Sequence, residues 1–410
     1  MIKLYIFFII YLIIACANDV GRCYYFFMDN VEVLCACGKR HVSKDLVVEE
    51  NKYEKLLDFL FEKKFTRIRI FASKVTQTGS LYKNFITELQ AIGIEIIEKS
   101  INISFAEVIK AEDIEYVGEE YVIVFGDYKE VDVVKYYAKS IGLNMSVVLT
   151  GIFFDFTFSK YARLYDGISY CFYQTIAPDY VVFFDENISE PERVYLKSYI
   201  GFKCIAYFEN ILQTKMNDKE MCLEINPKLL HVQKNLSKVQ TARGVLFACV
   251  FLGRAMSFFG ETKSFFGAEE KVASMLEVRV RKPFLECYLI ASELVIEVYK
   301  TALESELFVL GLDLNKRIDR IKRGLGLSAI KCMSFVKKIK PIDELSKRSR
   351  LIHALKFMLL DLIDGKTLNI AANIRKEFLL EALYLAPEFS GKYYFLNFLR
   401  DLGYLENLIK

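Results

Sequence analysis

The sequence predicts an α/β fold: a parallel-sheet domain at the N-terminal end and an all-helical domain after it. Three observations predict it. Up to about residue 190, short apolar strands alternate with helix-period segments. After Glu190 helical periodicity runs on almost without β-branched alternation. Within the first half lies Tyr121–Gly142, YVIVFGDYKEVDVVKYYAKSIG, which reads as a buried strand, a tight turn at Gly126 and a helix.

The elements follow in order. Tyr53–Phe65 has helical spacing and precedes the alternating strand Arg67–Ala72, RIRIFA. Leu81–Ile92 reads as a helix, Gly93–Glu98 as a strand and Phe105–Lys110 as a further helical stretch. Tyr121–Phe125 is a strand, Glu130–Ile141 a helix, and Met145–Thr150 and Tyr180–Asp185 are strands. This alternation implies parallel pairing with helices on both faces. In the second half Gly244–Phe258, Ala268–Glu277, Leu289–Leu303, Leu351–Leu362 and Ile374–Leu385 are the helices expected. The domain plan is therefore an extension over 1–27, a nucleotide-binding domain over 28–190 and a helical domain over 191–410.

Composition narrows the function. The chain has 410 residues, is 53% hydrophobic and carries a net charge of +3, which suits two well-packed domains. No long basic run is present, which argues against nucleic acid as a partner. The 10 cysteines are scattered, so they read as buried reduced thiols rather than a disulfide framework.

Met1–Ala17 has one lysine followed by an apolar run, the form of a secretory signal, and Ile13–Cys16 has the form of a lipobox. Two readings stand. Translation starts at Met28 and the chain is cytoplasmic, or Cys16 is lipidated and the chain is secreted or membrane-anchored. The apolar run Leu4–Cys16 is shorter than the ~20 residues a spanning helix needs.

The strand–turn–helix at Gly126 has the shape of a Rossmann-like βα unit, in which a turn and a helix N-terminus receive a diphosphate. Gly126, Lys129 and Asp132 on this unit, with Thr150 in the next turn, are the candidate cofactor-binding residues. Asp127 and Tyr128 stand where close approach of a diphosphate favours no side chain. At ~4 Å and an effective dielectric of ~20, a carboxylate beside a phosphate costs on the order of 4 kcal/mol.

Four stretches, taken in order, resemble the sn-glycerol-1-phosphate dehydrogenase family, in the group with dehydroquinate synthase and iron-containing alcohol dehydrogenases. Cys35-Ala36-Cys37-Gly38-Lys39-Arg40-His41 resembles a CxCGxxH opening. Gly126 to Lys135 falls on the glycine-rich turn and the helix after it. Gly253–Ser257 through Gly267–Glu270 resembles a GxAMS…SGxEH run. Lys392–Leu396 with Leu399–Gly403 resembles the family's tail. The resemblance implies a dehydroquinate synthase-like fold and NAD(P)H-dependent reduction of dihydroxyacetone phosphate. It also implies a divalent metal, zinc or nickel, that polarises the carbonyl.

At the positions matching the family's metal ligands stand Cys204 and Glu270, and no histidine occurs between 232 and 352. Cys204 and Glu270, with Glu286 or Cys287, are the candidate metal residues. Asp155, which matches an acidic residue beside the substrate, and Lys271 are the candidate substrate residues. Lys203 and Lys263 lie near the same positions and suit a phosphate. Phe258, Phe259, Phe265 and Phe266 replace smaller residues, as if to fill the site. Two function classes result: a diverged polyol-phosphate dehydrogenase, and a non-catalytic binding or assembly protein with the same fold. A phosphorylated small molecule and a second copy of the chain are the expected partners; a membrane is one only if Cys16 is lipidated.

Overall fold

The computed structural model describes residues 31–34, 40–43, 46–101, 120–165, 169–215, 241–260, 262–305, 374–389 and 394–405, and isolated positions at 315, 317–319, 347, 350, 352, 353 and 356. Cys16, Met28, Cys35, Cys37, the stretch Phe105–Lys110, His231 and most of Leu351–Leu362 lie outside the described residues. The chain forms two compact units. One takes 1–194 with 240–262, and the other takes 195–239 with 263–410.

The first unit is built on a six-stranded sheet. Its strands are β3 (Val47–Glu50), β4 (Arg67–Ala72), β5 (Glu95–Ser100), β6 (Tyr121–Gly126), β7 (Met145–Leu149) and β10 (Tyr180–Phe183). Their order is β3-β10-β7-β6-β4-β5, and every pairing is parallel. The central strands β6 and β7 are buried along their whole length, as a sheet covered on both faces requires. The edge strand β5 alternates less cleanly and is largely exposed. Two antiparallel pairs complete the strands, β1 (Val31–Leu34) with β2 (Arg40–Ser43), and β8 (Tyr161–Tyr165) with β9 (Tyr170–Gln174).

Helices α1 (Glu54–Glu62), α2 (Lys74–Thr78), α3 (Ser80–Ala91) and α4 (Tyr128–Ser140) connect the strands. Leu56 and Leu60 of α1, with Tyr82, Phe85 and Leu89 of α3, close one core against Ile68, Ile70, Ile123 and Phe125. Behind β4, Arg69 is buried and bonds Glu120 at 2.7 Å and the Tyr137 hydroxyl, so an interior guanidinium keeps its partners. Helix α7 (Ala242–Phe259) belongs to this unit. Its N-cap is Thr241, whose hydroxyl accepts from Gly244 N at 3.0 Å, and it ends at Gly260 with φ 70°.

The second unit is helical in every described element. It comprises most of α5 (Glu190–Phe202), α6 (Cys204–Lys215), α8 (Ala268–Val280), α9 (Phe284–Glu304), α10 (Lys376–Phe389) and α11 (Phe395–Asp401). Phe208, Tyr299 and Phe395 form one ring cluster joining α6, α9 and α11. Glu209 sits within it and accepts from the Tyr299 hydroxyl and from Phe395 N at 2.8 Å. No described helix is long and apolar enough to cross a membrane.

Candidate functional site

In the first unit the site is the turn between β6 and α4. Gly126 is the last residue of β6 rather than the turn itself, since it pairs with Leu149 in the ladder. The turn begins at Asp127, which is the N-cap of α4. A helix N-terminus offers four N–H groups without intrahelical partners, and these are what bind a diphosphate. Here all four are taken from inside the chain. Tyr128 N donates to Ile152 O at 3.0 Å and Lys129 N to Asp127 Oδ1 at 2.7 Å. Glu130 N donates to the Asp127 side chain in a capping box, and Asp127 N to the Glu130 carboxyl group in return; Val131 N then makes the first intrahelical bond, to Asp127 O.

The reciprocal arm of the box is Glu130. Its Oε2 accepts from Asp127 N at 3.1 Å. A Cβ built on Gly126 would lie 2.5 Å from Glu130 Cβ. The open space above the glycine, through which a diphosphate would approach, therefore holds this chain's own carboxyl group. Burial first, and then the neighbouring Asp127 carboxylate, push the Glu130 pKa up to about 8. Tyr128 is only 5% exposed and packs edge-on against Phe154 at 4.8 Å and Phe156 at 6.2 Å. The Lys129 ammonium rests 5.8 Å from the Tyr128 ring centre. The turn does not fit a dinucleotide diphosphate.

Asp132 and Lys135 are not on the helix surface. Both are 0% exposed, and their charged atoms are 3.7 Å apart. Asp132 Oδ2 accepts from Arg163 N at 2.9 Å. Lys135 Nζ donates to Phe156 O at 2.8 Å and to Tyr161 O. The pair thus pins strand β8 and the turn before it to α4. Thr150 is half-buried, and its N–H continues the ladder by donating to Gly126 O at 3.1 Å.

Asp155 opens a 3-10 turn, Asp155–Phe158, and is wholly buried. Its Oδ1 accepts from Phe156 N at 3.0 Å. A side chain on Gly253 of α7 would collide with Asp155 O, so the helix backbone seals that loop directly. Phe153 and Phe154 are buried beside it.

The candidate metal and substrate residues of the second unit lie around α6 and α8. Cys204 is the first residue of α6, and Glu270 is in the first turn of α8. Glu270 Oε1 accepts from the Ser274 hydroxyl at 2.9 Å, and Oε2 pairs with Lys271 at 3.1 Å. Glu286 pairs with Lys282 at 2.6 Å. Among the described residues no three His, Cys, Asp or Glu side chains converge as a metal site requires. His353 is exposed, and His41 lies in β2. The described residues do not fit a divalent ion.

Lys203 is a buried residue, not a surface lysine. Its ammonium donates to Phe265 O at 3.3 Å and lies 3.6 Å from the Phe266 ring centre. Lys271 is mostly buried and paired with Glu270. Of the four phenylalanines, Phe265 and Phe266 fill the interior, while Phe258 and Phe259 are half-buried on α7. Sequence reasoning missed Glu130 and Glu269. The D-x-x-E spacing of Asp127 and Glu130 is a capping signature and carried the first signal; nothing local marks the second.

No family model and no curated protein matches this chain. Solved structures with a similar fold include glycerol dehydrogenase from Schizosaccharomyces pombe, at 13% identity over 94% of this chain and 92% of that one, with a TM-score of 0.49. NADH-dependent butanol dehydrogenase A from Thermotoga maritima is similar at 12% identity over 93% and 98%, with a TM-score of 0.49. An iron-containing alcohol dehydrogenase from Thermotoga maritima is similar at 12% identity over 78% and 98%, with a TM-score of 0.45. These likenesses concern fold and assign this chain no substrate, cofactor or metal.

Proposed function

We propose that this chain is a glycerol-1-phosphate-dehydrogenase-like protein that no longer catalyses the family's reaction and works as a binding or assembly module. The observation behind this reading is the spent N-terminus of α4. Asp127, Tyr128, Lys129 and Glu130 all donate their N–H groups within the chain, and Glu130 fills the space over Gly126. A diphosphate arriving there must displace the Glu130 carboxyl group from a capping box and meet the Asp127 charge. Hydride transfer from NAD(P)H needs that diphosphate anchored, because positioning supplies much of the rate.

The helical unit points the same way. Reduction of dihydroxyacetone phosphate builds negative charge on the carbonyl oxygen, which an electrophile must stabilise. Glu270 is held by Ser274 and Lys271, and Lys203 is enclosed by rings and a carbonyl. Neither is presented to a substrate oxygen.

The purified protein should show no reduction of dihydroxyacetone phosphate by NADH or NADPH, with or without added Zn2+ or Ni2+. A coupled absorbance assay reads this directly. Turnover above about 1 per second, within the ordinary enzyme range, overturns the reading.

A further inference from the structure

Lys203 stands at the junction of α5 and α6 with 0% exposure, in the midst of three aromatic rings. Its ammonium lies 3.6 Å from the centre of Phe266, 4.5 Å from Tyr199 and 5.7 Å from Tyr288. Ring faces carry partial negative charge and hold an ammonium most strongly where water is absent. The Phe265 carbonyl adds a hydrogen bond at 3.3 Å.

A buried carboxylate shares Tyr288 with this ammonium. Glu269, in the first turn of α8, is fully buried, and its Oε1 accepts from Gly267 N at 2.9 Å and from the Tyr288 hydroxyl at 3.0 Å. Tyr288 therefore touches both groups, its ring facing the ammonium and its hydroxyl bonding the carboxylate. Lys203 and Glu269 each precede by one residue a position, Cys204 or Glu270, where the resemblance places a metal ligand.

We infer that the helical unit is built around a cation of its own, the Lys203 ammonium with Glu269 as counter-charge, and stands without a divalent metal ion. The cage of Tyr199, Phe266 and Tyr288 supplies the lining that a fixed, singly charged group needs. Carboxylate and imidazole ligands, which a dication would need, do not converge there among the described residues. This inference holds whether or not the chain turns over a substrate, so activity assays neither support nor sink it.

The test uses the full chain expressed in medium supplemented with zinc, nickel and iron. Elemental analysis should find below about 0.1 equivalent of each metal. The melting temperature should move by less than about 1 °C on adding chelator or excess Zn2+. Near-stoichiometric metal whose removal lowers the melting temperature overturns the inference. Lys203→Met should reduce the folding equilibrium constant about 100-fold, since it strands the Glu269 carboxylate. Adding Glu269→Gln to that variant should recover about tenfold or more. Strictly additive effects overturn the pairing. If Lys203→Met alone fails to fold, a folded Lys203→Met/Glu269→Gln chain supports the inference, and failure of both overturns it.

Discussion

Lys135→Met should destabilise the sheet-bearing unit by about 3–5 kcal/mol, the range for removing one partner of a buried ion pair. Three losses coincide. Asp132 becomes a carboxylate with no exposure that has lost its strongest cation, keeping the Arg163 N–H and the weaker pull of the Arg163 charge. The carbonyls of Phe156 and Tyr161 lose their shared donor inside the protein. The link between α4 and β8 is then left to the Arg163 N–H bond and apolar packing. Burial already strains both charges, raising the Asp132 pKa to about 7 and lowering that of Lys135 to about 8. Removing the cation makes the carboxylate's position worse. Lys135→Met/Asp132→Asn should regain the electrostatic part but not the carbonyl part, so it should fall between the single variant and the parent. Urea unfolding followed by circular dichroism, on a chain with no tryptophan, measures it. A loss under about 1 kcal/mol would place the pair among solvated surface bridges.

Glu388→Ala should cost a similar amount in the helical unit, about 3 kcal/mol or more. Glu388 is buried and takes the Arg317 guanidinium on both oxygens, at 2.9 and 2.7 Å. Arg400 lies 3.4 Å from the same carboxylate but also bonds Asp401 at 2.7 Å. Truncating Glu388 therefore strands Arg317 far more than Arg400. Arg317→Met in the same chain should relieve most of the loss, because it removes the unpaired charge. If the double variant is no more stable than Glu388→Ala, the pairing is not what the carboxylate contributes.

Much of the fold was legible because buried parallel strands and amphipathic helices write their periods plainly. Arg67–Ala72 came out with its exact bounds, and β6, β7 and β10 within two residues. The hairpin β8–β9 and the edge strand β3 were missed. Tyr161–Tyr165 and Tyr170–Gln174 flank Asp166-Gly167, a hairpin turn signal that was passed over because the runs on either side are aromatic rather than alternating, and Val47–Glu50 has only two apolar residues. At the candidate site the sequence located the turn to within one residue, at Gly126 where it begins at Asp127, but not how its side chains are spent. Asp132 and Lys135 looked like an exposed i,i+3 pair, since nothing near them in the chain shows that β8 covers that face. Lys203 was equally opaque: a lysine's burial depends on rings 63 and 85 positions onward, at Phe266 and Tyr288, which only the fold brings together.

The βα turn is closed by its own residues, and calorimetric titration of the purified protein with NADH reads that closure. The capped helix and the filled space over Gly126 predict no saturable binding below about 1 mM. A dissociation constant of about 10 μM or tighter, lost in a Gly126→Val variant that still folds, would show the turn gripping a diphosphate and would contradict the account.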